Sequence, residues 1–216
     1  MYRHINRHID AILGLLREKN HVQNYDNLVL AFAQPNAAVH EEFQRHYARF
    51  WALGPGVNNA WRQHYFNLLD DIRNGRQPAL QQQRQLLEHV CRETLNNHRG
   101  GESLYFSFAT KLVHMVDRRA PIYDDRVRAF YFLPHANNGG AIEPRIHRCL
   151  DAYDALVNEY DRIIANNLLH QSIVRFREEL HPEEFTDIKI IDSLIWAFVT
   201  WAKRGAALVN GHLQYE

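Results

Sequence analysis

Ser107-Phe108-Ala109-Thr110-Lys111-Leu112-Val113-His114-Met115, followed after a short turn by Pro121-Ile122-Tyr123-Asp124-Asp125-Arg126-Val127, is the stretch on which the reading of this chain turns. With Leu104 and Phe106 before it, the first part is apolar at helical spacing, so the pattern predicts a helix over 102–116 in the middle of a core. Arg118-Arg119-Ala120-Pro121 reads as a tight loop. Asp124 or Asp125 can then accept hydrogen bonds from the free N–H groups of a new first turn, capping a helix that runs to about Phe132.

Outward from that centre the same period persists. Ile5, Ile9, Ile12, Leu13 and Leu16 form one stripe and predict a helix over about 3–19. Tyr25, Leu28, Val29 and Phe32 mark a short helix stopped by Gln34-Pro35, and Asn36 can cap a third over about 37–53. Gly54-Pro55-Gly56 is a break, and helices are expected over 57–74 and near 79–97. Asn96-Asn97-His98-Arg99-Gly100-Gly101 and residues 134–142 read as loops, and three more helices, near 143–166, 170–180 and 184–203, complete the chain. Period-two alternation is missing throughout. The expected fold is all-α, a single compact multi-helix bundle of nine or ten helices over 1–216, its natural division an N-terminal lobe 1–98 and a C-terminal lobe 99–216.

The chemistry of the central stretch is unusual. A lysine within an apolar helix is desolvated, which disfavours its charged form and lowers its pKa. A neutral amine is a nucleophile suited to Schiff-base formation. Asp124 follows Lys111 by thirteen residues, across a proline turn that can bring the two elements together. A plainer reading stands beside this one: Lys111 snorkels to the surface and Asp124 only caps its helix.

The order apolar helix, lysine, short loop, Pro-Ile-Tyr-Asp-Asp-Arg-Val, helix resembles the helix–hairpin–helix DNA glycosylase superfamily. Within it, Phe108-Ala109-Thr110-Lys111-Leu112 followed by Pro121-Ile122-Tyr123-Asp124 is similar to an uncharacterised bacterial branch with an 8-oxoguanine DNA glycosylase-like fold. The likeness covers residues 100–132. It implies excision of a damaged or modified base after base flipping, with Asp124 as catalytic carboxylate and Lys111 as Schiff-base nucleophile. It also implies DNA as partner, Gly100 and Gly101 at a degenerate hairpin facing a phosphate, and Arg118, Arg119, Arg126 and Arg128 as a phosphate-contacting rim. The family hairpin reads Leu-Pro-Gly-Val-Gly, whereas Arg99-Gly100-Gly101-Glu102-Ser103 stands here, and an ungapped match from Asp124 puts Phe106 near the family's lysine position. A non-catalytic helical module, binding nucleic acid or a protein in a defence or toxin system, is the alternative. Trp51, Trp61, Tyr105 and Phe106 are candidates to stack on a base, or core residues.

Composition bounds the rest. Lys plus Arg and Asp plus Glu are 25 each, which excludes a polybasic chain but not a local basic groove. No apolar run reaches the ~20 residues that span a bilayer, and the opening Met1-Tyr2-Arg3-His4 lacks the apolar core of a signal peptide, so a cytoplasmic protein without a membrane partner is expected. Cys91 and Cys149 make neither a metal pattern nor a disulfide framework and read as buried apolar residues. His4 and His8 share a helix face but no third ligand follows at helical spacing, so neither a metal nor a cofactor is expected. His114 reads as a satisfied core histidine or a proton shuttle. Asp192, inside the apolar stripe Ile188, Ile191, Ile195, Phe198 and Val199, needs a partner, either an Arg of the Asp124 turn or a helix N-terminus.

Overall fold

The architecture follows from a computed structural model describing residues 1–54, 57–76, 83–98, 101–137, 139–205, 208–209 and 212–213. Apolar residues at helical spacing give eleven α-helices among them. They are α1 (Tyr2–Arg7), α2 (Ile9–Glu18), α3 (His21–Ala33), α4 (Glu41–Phe50), α5 (Asn59–Arg73), α6 (Gln83–Glu93), α7 (Phe106–Val116), α8 (Asp125–Tyr131), α9 (Ile142–Ala165), α10 (His170–Leu180) and α11 (Asp187–Gly205). The fold is all-α, as the periodicity predicts.

Three boundaries differ from the sequence expectation, each for a local reason. The first helix is broken at His8, whose backbone (φ −105°, ψ 22°) leaves the helical range. The helix expected from Asn36 starts later. Asn36 takes a left-handed conformation (φ 54°), which asparagine tolerates, a short 3-10 turn follows over Ala37–Val39, and α4 begins at Glu41. The loop expected over 96–101 is instead the start of a small antiparallel hairpin, β1 (Asn96–His98) against β2 (Gly101–Ser103), so α7 begins at Phe106 and not at 102. Gly100, Pro55-Gly56 and the beginning of the helix expected near 79 lie outside the described residues.

α11 is the organising helix. It packs on α2 and α8, and also touches α1, α9 and α10, so the last long helix closes over the first ones. Ile190, Ile191, Leu194, Ile195, Ala197 and Val199 of α11 are wholly buried. In α7, Ala109, Leu112 and Val113 are likewise without exposure. Cys91 and Cys149 are buried free thiols, as expected.

Several polar side chains inside this core are paired, as burial favours. His114 is wholly buried, with Nδ1 2.7 Å from the Ala120 carbonyl and Nε2 2.8 Å from the Tyr25 hydroxyl. A neutral ring satisfies both if Nδ1–H donates to the carbonyl and Nε2 accepts from the phenol. Burial and the nearby Lys189 charge hold its pKa down to about 3, so it is a satisfied core histidine that ties α3 to the turn after α7. Tyr65 donates to the Phe108 carbonyl at 2.8 Å, so its oxygen is left to accept from Tyr47 at 2.6 Å. Asp26 accepts the N–H groups of Glu183 and Glu184 at 3.1 and 2.9 Å, fixing the approach to α11.

Candidate functional site

Lys111 ends in a cavity and not at the outer surface. The residue is 7% exposed, and Nζ donates to the Trp51 carbonyl at 3.1 Å, with the rings of Phe108 and Trp51 at 5.1 and 5.9 Å from their centroids. Desolvation lowers its pKa, opposed by the negative charges of Asp124 and Asp125. Of the two sequence readings, the desolvated amine is therefore the one that this geometry contains.

Asp124 is held in place by its own helix and by the stretch of chain before it. Its Oδ1 accepts from the N–H groups of Arg126 (2.8 Å) and Val127 (2.9 Å), a side-chain cap on α8. Its Oδ2 takes no hydrogen bond among the described residues. Three different helices hold the preceding residues. The Tyr153 hydroxyl of α9 donates to the Pro121 carbonyl (3.0 Å), Asp192 of α11 accepts from Ile122 N–H (3.2 Å), and Thr110 of α7 accepts from Tyr123 N–H (3.1 Å). A loop residue would ordinarily be mobile. This one is fixed by α7, α9 and α11 at once.

Asp192 thus has its partner, but it is neither an arginine nor a helix N-terminus. The carboxylate accepts the Ile122 N–H and the Tyr160 hydroxyl (2.6 Å), and faces the ammonium of Lys189 one turn earlier. Among the arginines of that turn, Arg118 pairs instead with Glu184, Arg119 with Asp117 and Arg128 with Asp125.

A cavity of about 530 Å³ opens between α3, α4, α7 and α11, a size usual for small-molecule and cofactor sites. Lys111, Asp124, Lys189 and Asp192 line it together. Its walls include Phe50, Trp51, Trp196 and His21, whose ring stacks on Trp196 at 5.2 Å and 18°. Burial and the Lys189 charge hold the His21 pKa well below the ordinary value, so the ring is neutral near pH 7. A second cavity of about 360 Å³ adjoins it, sharing Trp51, Ala52, Lys111, Asp124 and Trp196 with the first. The shared residues make Lys111 and Asp124 the junction of one two-chambered cleft. Ala52 stands at that junction with φ 53°, a left-handed conformation that costs a residue with a Cβ about 1 kcal/mol or more.

The other residues singled out in the sequence divide. Trp51 lines both chambers, and Tyr105 and Phe106 line the smaller one. Trp61 lines neither; it stacks on Tyr65 at 5.1 Å and donates Nε1 to the Thr94 carbonyl, which makes it a core residue. Arg126 and Arg128 line the smaller chamber, whereas Arg118 and Arg119 lie outside both and pair with Glu184 and Asp117. Gly101 sits in β2.

Sequence reasoning passed over Lys189 and Asp192 as site residues. The signal was present for Lys189, since it is a lysine flanked by Ile188, Ile190 and Ile191, the same kind of anomaly that marks Lys111. The closure of α11 over Asp124 is a tertiary event, and no spacing along the chain announces it. The mouth of the larger chamber adds Arg49 and His46 of α4, and Arg49 has no carboxylate within ion-pair distance among the described residues. Comparison with protein-family models, with curated proteins and with solved structures finds no match to this chain.

Proposed function

We propose that this protein is a DNA glycosylase-like enzyme that takes a damaged or modified nucleotide into the cleft and breaks its bond to the sugar. The observation that carries the reading is the meeting of Lys111 and Asp124 at the junction of an aromatic-walled cleft. A base extruded from the stack needs flat apolar faces, which Phe50, Trp51 and Trp196 supply. Positive charge develops on the sugar as the base leaves, and Asp124 offers a carboxylate with one oxygen used in capping and the other free to face that charge. Lys111 supplies the amine for a lyase step, attacking the anomeric carbon and forming a Schiff base. Arg126 and Arg128 on the smaller chamber suit the flanking phosphates.

The test is base release and borohydride trapping on duplex oligonucleotides carrying 8-oxoguanine, uracil, an alkylated base or an abasic site. Asn caps a helix about as well as Asp. Asp124→Asn should therefore stay folded and lose base release. Lys111→Gln should lose strand nicking and the adduct that maps to position 111 while keeping base release. No release from any substrate by folded wild-type protein would overturn the reading. It would favour the second one, a binding module without catalysis, which the tie of Lys111 to the Trp51 carbonyl also suits.

A further inference from the structure

The chain has four lysines, Lys19, Lys111, Lys189 and Lys203, against twenty-one arginines. Arginine is the default cation of this protein, and it cannot deprotonate at physiological pH, whereas a buried lysine can. Two of the four lysines, Lys111 and Lys189, are buried and line the same cavity. Their surroundings differ. Lys111 gives a hydrogen bond to the Trp51 carbonyl. The Lys189 ammonium, on a residue 3% exposed, has no hydrogen bond or ion pair among the described residues. It rests on ring faces, 4.9 Å from the centroids of Tyr25 and Trp51 and 5.7 Å from that of Phe50.

We propose that Lys189 is a carbonyl-reactive amine of this cleft and forms an imine with phosphate-bearing aldehydes. The cavity supplies what the step needs. The groups facing Lys189 are Lys111 and His114 of α7, His21 of α3, Asp124 at the cap of α8, and Asp192 on its own helix. Burial pushes the Lys189 pKa down to about 8 against the raising charges of Asp192 and Asp124, while burial pushes the Asp192 carboxyl up to about 7. Between those values the pair is ammonium and carboxylate, and the neutral amine that attacks a carbonyl grows as pH rises through about 8. The Lys189 lone pair attacks the aldehyde carbon, a C–N bond forms, and the carbonyl oxygen takes a proton to give a carbinolamine. Proton transfer to the hydroxyl, for which Asp192 is a carrier, then breaks the C–O bond and releases water. Loss of the remaining nitrogen proton leaves the neutral imine. At the mouth, the exposed Arg49 offers positive charge to the phosphate, while Lys19 is paired with Glu18 at 3.0 Å.

With abasic DNA as the aldehyde, the proposal rests on the base-excision reading; with pyridoxal 5′-phosphate it does not, so the two can fail separately. Wild-type protein is incubated with each probe, reduced with borohydride (which delivers hydride to the C=N bond and leaves a stable secondary amine) and mapped by peptide mass spectrometry. Four lysines and one N-terminal amine make the assignment direct. Pyridoxal phosphate should mark Lys189 ahead of the exposed Lys19 and Lys203. The labelling rate should rise with pH through about 8. Lys189→Met and Lys189→Arg, checked for folding by circular dichroism, should lose the cavity adduct and keep the surface ones. Labelling confined to Lys111 or to the surface amines overturns the proposal, and the wild-type map decides this even if both variants fail to fold. Adducts at Lys189 with pyridoxal phosphate but none with abasic DNA would support the amine and count against the base-excision reading.

Discussion

Asp192→Ala tests whether α11 anchors the turn that precedes Asp124. The wild-type carboxylate accepts two hydrogen bonds in the core, from Ile122 N–H and from the Tyr160 hydroxyl, and both donors are almost wholly removed from water. Truncation leaves each unsatisfied, at about 1–3 kcal/mol apiece. It also removes the negative charge that faces Lys189, although that lysine can shed its proton and limit the damage. Part of the loss is offset because burial already disfavours the charged form of Asp192, as its raised pKa shows. The net expectation is about 2–4 kcal/mol, or about 5–15 °C in Tm for a chain of this size. Urea unfolding at pH 7.5 is the assay, with Asp192→Asn and Tyr160→Phe beside it. Asn keeps one acceptor and should cost less than Ala. Tyr160→Phe should cost about 1 kcal/mol alone and almost nothing further on top of Asp192→Ala, because the bond is already gone. A loss under about 0.5 kcal/mol for Asp192→Ala, or strict additivity with Tyr160→Phe, would refute the role of this carboxylate as the anchor of the turn.

Thr110→Val keeps the side-chain shape but strands the Tyr123 N–H, so it should destabilise by about 1–3 kcal/mol in urea unfolding; if the proposed base excision holds, it should also disturb base release. His114 titrates near 6.5 when unfolded and near 3 when folded, so below pH 6.5 the unfolded chain binds a proton that the folded one refuses. Its stabilising effect is therefore whole above pH 6.5 and drains away as pH falls towards 3, at up to about 1.4 kcal/mol per unit; His21, also held low by burial, acts with the same sign. A urea midpoint that stayed flat from pH 6.5 to about 4 would count against a neutral buried His114. Arg45 and Arg49 on α4 are exposed and have no carboxylate within ion-pair distance among the described residues. If DNA reaches the cleft along this face, Arg45→Gln with Arg49→Gln should weaken binding. Fluorescence anisotropy should also show the plot of log affinity against log salt flattening by about one unit for each phosphate no longer neutralised. An unchanged slope would place the DNA elsewhere.

The helices were legible because burying one face of a helix demands apolar residues at a fixed period, and that demand is written locally. The stripe Ile5, Ile9, Ile12, Leu13, Leu16 predicted buried positions, and all five are buried. Asp124 was legible as a helix cap for the same reason, since capping involves only residues two and three positions away. The break at His8 and the hairpin over 96–103 were not, because a few φ/ψ angles decide them and many residues tolerate those angles.

The site was half legible. A lysine in an apolar helix announces that something unusual surrounds it, and Lys111 was found that way. Its cavity could not be found so, because its walls come from α3, α4, α7, α8 and α11, drawn from positions 19 to 196. Asp192 shows the limit most directly. Its place in an apolar stripe requires a partner, but the partners are a backbone N–H seventy residues away and a phenol thirty-two residues away. Near neighbours along the chain were enough to specify the helical class and the buried faces, and to raise Lys111 and Asp124, one turn apart, as candidates for one site. That Lys189 and Asp192 join those two rests on how α11 closes over the turn. Periodicity cannot foretell that closure, because burial rewards the apolar area removed from water and not the particular distant residues that remove it.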